Sequence, residues 1–137
     1  MADLAPGHIV HLRCPDAPIV GCGLHLPAGE DVAAWRAHEG LLGVSTHSLD
    51  EARAAQDAGA DYVFLSPIFR PTSKPEDTRP TLGLDTLARA QEALDIPVFA
   101  LGGMTPSRAE QVLAVCHGVA VLGYLAERPE RIGEFPC

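Results

Sequence analysis

With 137 residues, the chain is long enough for one ordinary domain and too short for two sizeable ones. Hydrophobic residues at 47% against 20% charged predict a buried core, and a net charge of −8 argues against a nucleic-acid groove or an anionic membrane surface as partner. No apolar stretch reaches the roughly 18 residues of a membrane-crossing helix. The opening MADLAPGHIVHL has no basic start leading into a long apolar segment, so a secretory signal is not expected either. Cys14, Cys22, Cys116 and Cys137 follow no disulfide-framework spacing, and reduced thiols in a cytoplasmic protein are the expectation.

Along the chain, short apolar runs alternate with helical segments. Strands are predicted at 8–12, 22–26, 41–45, 61–66, 97–101 and 118–122, each apolar on consecutive positions as suits parallel strands covered on both faces. A short helix is predicted around Val32-Ala33-Ala34-Trp35. Ser48-Leu49-Asp50-Glu51 reads as a capping box that opens a longer helix ending at Gly59. Asp85 is the predicted cap of a helix carrying Leu87, Ala90 and Leu94, and Thr105 caps the next, with Pro106 at the tolerated first position. The stretch 127–137 reads as a last short helix or a frayed end. Strand-helix alternation of this kind predicts an α/β fold with right-handed crossovers.

Two stretches at predicted strand ends point to chemistry. In PVFALGGMTPSRAEQVL, Gly102 and Gly103 separate a buried strand from a helix start. A tight turn explains them as well as an anion nest does, in which the amides of Gly102, Gly103 and Met104 meet a phosphate beside the positive end of the helix dipole. Gly123, after the last strand, is placed to close the same corner. In GVSTHS, Ser45, Thr46 and His47 end a strand just before a helix, where a histidine can act as general acid or base. The long proline-rich connection PIFRPTSKPEDTRPTLG follows a strand end on the side where parallel β/α folds bind ligands, and its Lys74 is a candidate mobile cation. No metal centre is expected; Glu30 and Asp31 are the carboxylates nearest a strand end where Mg²⁺ could sit.

GLHLPAGED, GVSTHSLDEA, GADYVFLSPIF with its following SK, PVFALGG and GVAVLGYL occur in that order. Together they resemble the thiamine-phosphate synthase and thiazole tautomerase superfamily of (βα)8 TIM barrels, over almost the whole chain. The resemblance implies that Gly102 and Gly103 bind a thiazole phosphate through backbone amides, helped by Gly123. It implies that Ser45 lines the pocket, that Ser73 and Lys74 hold a pyrophosphate in synthase members, and that His47 is the proton shuttle of tautomerase members. The family's magnesium aspartate falls on Leu12, beside His11 and Arg13, and leucine cannot hold a metal ion.

Residues 1–137 thus read as a single β/α domain of about six units, an incomplete TIM-type barrel without the family's first two units. A homodimer is the expected remedy for the open wall. With the magnesium position lost and the phosphate anchor kept, the resemblance favours tautomerase-like proton transfer on a thiazole phosphate, a small phosphorylated heterocycle. Synthase activity through a partner, or a non-catalytic phosphate-binding remnant, are the alternatives.

Overall fold

The computed structural model describes residues 9–10, 23–71, 76–126 and 128–136. Six strands form one sheet in the order β1-β2-β3-β4-β5-β6, with β1 Ile9–Val10, β2 Gly23–Leu26, β3 Leu42–Thr46, β4 Tyr62–Leu65, β5 Val98–Ala100 and β6 Gly118–Val119. Every neighbouring pair is parallel. Strand order that never reverses is the winding of a TIM-type barrel wall and not of a doubly wound sheet. The expected α/β architecture of about six units is therefore present, with strands shorter than the apolar runs suggested. Of the expected strand at 8–12, only its two middle residues are described; Cys14, Ser73, Lys74, Cys22 and Cys137 lie outside the described residues.

The two-residue period of each strand splits its side chains between two faces. Leu24, Leu26, Leu42, Val44, Val63, Leu65, Val98 and Ala100 join the buried core. The helices cover it with Ala52 and Ala55 from α1 Leu49–Ala58, Leu87 and Ala90 from α2 Gly83–Ala93, and Ala109 and Val112 from α3 Pro106–Leu113. His25, Gly43, Ser45, Tyr62, Phe64 and Phe99 alternate with these core positions and stand on the opposite, inner face. There a hollow of about 420 Å³ opens between His25, Tyr62, Phe64, Phe99 and Val119.

The short helix expected at Val32–Trp35 is present as a 3-10 helix capped by Asp31, whose Oδ1 accepts from the Ala33 amide at 3.1 Å. One local expectation is corrected. Asp85 does not cap α2, which begins two residues earlier at Gly83 and has no side-chain cap. Its starting amides are satisfied from a distance instead: Leu82 N–H donates to the Pro67 carbonyl at 2.9 Å and Gly83 N–H to that of Ile68 at 3.1 Å. After β6, a short helix α4 Gly123–Ala126 and a 3-10 segment Pro129–Glu134 end the described chain.

Candidate functional site

Gly102 and Gly103 sit between β5 and α3 with φ of +102° and +62°, a region that L side chains rarely adopt. The loop after β4 presses on them. A Cβ on Gly102 would stand 2.9 Å from Pro67 Cα, and one on Gly103 would stand 2.5 Å from the Arg70 carbonyl oxygen. The turn reading of this pair is therefore correct as far as it goes.

The hydrogen bonds around the pair carry more. The Leu101 carbonyl accepts from Ile68 N–H at 2.9 Å, and the Gly102 carbonyl from Phe69 N–H at 3.2 Å. The Gly103 carbonyl accepts from Arg108 Nη1 at 2.7 Å. In a trans peptide the N–H points opposite to the C=O. Tying back three successive carbonyls therefore turns the amides of Gly102, Gly103 and Met104 the other way, and none of these amides has a partner among the described residues.

All three residues line a cavity of about 90 Å³, together with Ser66, Arg79, Ala120, Gly123 and Tyr124. The cavity opens beside the start of α3, whose Thr105 cap accepts from Arg108 N–H at 3.4 Å and whose first residue is Pro106. Unpaired amides at a helix start can receive an oxyanion. The two glycine stretches singled out in the sequence, 102–103 and 123, thus meet in one cavity.

His47 is not in the lining of this cavity but contacts two residues that are, Ser66 and Arg79. Its Nδ1 lies 2.7 Å from the Ser66 carbonyl, so this nitrogen carries the proton and Nε2 is the acceptor. Nε2 accepts from Arg79 Nη1 at 2.8 Å. The His47 amide donates to Glu51 Oε2 at 2.7 Å.

Ser45 belongs to another network, on the inner face. Its hydroxyl is 3.0 Å from His25 Nε2, while His25 Nδ1 is 3.0 Å from the Tyr62 hydroxyl. His25 is 2% exposed, which matches a packed histidine. Burial first, and then the nearby Asp61 charge, push the Tyr62 phenol up to about 12.

For magnesium, Asp31 and Glu30 follow β2, but the Asp31 carboxylate already caps the 3-10 turn. Among the described residues, no three His, Cys, Asp or Glu side chains converge on one point. The described residues do not compose a magnesium site.

Fold and site define a barrel-type β/α protein whose strand ends build the candidate site. The chain belongs to the thiamine monophosphate synthase family, whose model matches residues 17–125. It is 45% identical over 91 residues to a thiamine-phosphate synthase of Geobacillus kaustophilus, a match covering 65% of this chain and 41% of that protein. It is 40% identical over 129 residues to the thiamine biosynthesis bifunctional protein ThiM/ThiE of Symbiobacterium thermophilum, covering 89% of this chain and 26% of that one. Among solved structures, thiamine phosphate pyrophosphorylase from Pyrococcus furiosus superposes with a TM-score of 0.63 at 34% identity, over 72% of this chain and 48% of that one. The chain thus matches under half the length of each of these relatives. Among the described residues, no helix is long and apolar enough to cross a membrane.

Proposed function

We propose that this chain supplies the thiazole-phosphate half of a thiamine-phosphate synthase site, with the phosphate held at the corner between β5, α3 and β6. The observation that supports this reading best is the set of three successive carbonyls tied back, with the amides of Gly102, Gly103 and Met104 left unpaired in one cavity with Gly123. On the resemblance, Ser73 and Lys74 hold the pyrophosphate of the second substrate, a pyrimidine, and Ser45 lines the pocket. A homodimer is proposed as well, formed along the sheet edges at β1 and β6. Light scattering that reads the mass of two chains supports the dimer; a monodisperse monomer at micromolar concentration rejects it.

This reading replaces the tautomerase-like chemistry expected from the sequence, for two reasons. The relatives at 45% and 40% identity carry synthase names. His47, the expected proton shuttle, has Nδ1 on the Ser66 carbonyl and Nε2 under Arg79, so neither ring nitrogen is open to a substrate as the site stands.

The deciding experiment offers the protein a thiazole phosphate with a pyrimidine pyrophosphate, and separately a carboxythiazole phosphate. Thiamine phosphate formation supports the synthase reading. Isomerisation of the carboxythiazole, abolished in His47→Ala, would reinstate the tautomerase. Binding without turnover of either would leave a phosphate-binding remnant and reject both enzymes.

A further inference from the structure

Nothing in the local sequence marks Arg79 as functional, yet it lines the same cavity as Gly102 and Gly103. Its plane is fixed from two sides. Asp77, with its side chain 9% exposed, accepts Nε–H on Oδ1 at 2.9 Å and Nη2–H on Oδ2 at 2.5 Å, a two-point fork. The same Oδ1 also accepts the Arg79 backbone N–H at 3.1 Å. From the other side, Nη1 donates to His47 Nε2 at 2.8 Å. A guanidinium carries five N–H donors. These contacts use Nε–H and one N–H on Nη2, while Nη1 lies within 3.1 Å of both His47 ring nitrogens, so the N–H without a partner among the described residues is the second one on Nη2.

We propose that Arg79 is a phosphate-binding residue, set in place by Asp77 and His47 so that its remaining Nη2 N–H meets the oxyanion in the same cavity as the glycine amides. This rests on the phosphate reading of the cavity. Backbone amides offer only neutral donors, and a phosphate approaching a chain of net charge −8 gains from a charge-assisted donor at its binding point. The placement also limits what that donor can be. Asp77 cancels most of the net charge, so directed N–H donation does the binding, and a guanidinium held in advance loses little rotamer freedom on engaging the ligand. A lysine at this position would pair with Asp77 and present no second donor edge.

The test titrates inorganic phosphate into the protein by calorimetry, comparing wild type with Arg79→Gln, Arg79→Lys and Gly123→Val. Phosphate binding weakened tenfold or more by both arginine substitutions, and by Gly123→Val, supports the inference. Binding weakened by Gly123→Val but unchanged within twofold in Arg79→Gln overturns the role of Arg79 and leaves the cavity standing. Binding unchanged in Gly123→Val, or absent in wild type, overturns the phosphate cavity itself and the inference with it. A second measurement needs no variant: phosphate added to the wild type shifts the Arg79 guanidinium nitrogen resonances, and resonances that stay in place reject the contact.

Discussion

The Tyr62 ring occupies the space that a side chain on Gly43 would fill. The two residues are register partners on β3 and β4, and a Cβ built on Gly43 would stand 2.0 Å from Tyr62 Cζ. Glycine at this point lets the phenol lie across β3 and reach His25 Nδ1 at 3.0 Å on β2. Gly43→Ala must displace the ring or the strand, and overpacking of this kind costs about 1–3 kcal/mol. Urea denaturation of Gly43→Ala checks the figure, and the lost Tyr62–His25 contact should appear as a changed His25 ring signal.

Asp61 locks the same two strands. Its backbone N–H donates to the Leu42 carbonyl at 2.7 Å, and its Oδ2 accepts the Leu42 N–H at 2.7 Å, so one residue closes both polar groups of its neighbour. A hydrogen bond to a charged group contributes about 1.5–3 kcal/mol. Asp61→Ala is expected to lose stability in that range by chemical denaturation.

Tyr62 ties stability to alkaline pH. Its phenol is raised from 10.0 to about 12, by burial and then by Asp61. Below pH 10 both folded and unfolded chains keep the proton, and this group's contribution is fully present. Between 10 and about 12 the unfolded chain ionises while the folded one does not, so stability falls as pH rises and then levels off. Tyr62→Phe should flatten that fall. Asp61→Asn should bring the tyrosinate absorbance transition of Tyr62 to lower pH, but only part of the way, because burial is the larger cause.

Arg108 aims the candidate anion site without lining it. Its Nη1 holds the Gly103 carbonyl at 2.7 Å, and its guanidinium lies 4.8 Å from the Phe69 ring centroid. Arg108→Ala frees that carbonyl and lets the peptide turn, so phosphate affinity should drop several-fold for a stability loss of about 1 kcal/mol. Calorimetric titration beside a thermal melt separates the two effects. An unchanged affinity would show that the Met104 amide needs no such anchor.

Where the fold was legible in the sequence, the signal was local. Ser48 accepts from the Glu51 amide at 3.1 Å, and Gly59 ends α1 at φ +102°, as the capping signature implied. Even there, the Glu51 carboxylate bonds the amide of His47 and not that of Ser48. The start of α2 was missed because its amides are met by Pro67 and Ile68 carbonyls, groups brought in by tertiary packing and not by a nearby polar side chain. Arg79 was missed for the same reason: it meets His47 from 32 residues away, and a loop arginine carries no periodicity. The glycine pair was visible in the sequence. What was not visible is that Pro67 and Arg70 press on it and that Arg108 orients it.

The tying of the Leu101, Gly102 and Gly103 carbonyls also sets a labelling signature. The amides of Ile68 and Phe69 are donors in those ties, whereas the amides of Gly102, Gly103 and Met104 are not donors among the described residues. In deuterated water the first pair should hold its protons long after the second group has lost them, although both lie in one folded corner. An anion seated there would slow the second group alone, so occupancy becomes readable as a local exchange rate, without a turnover assay.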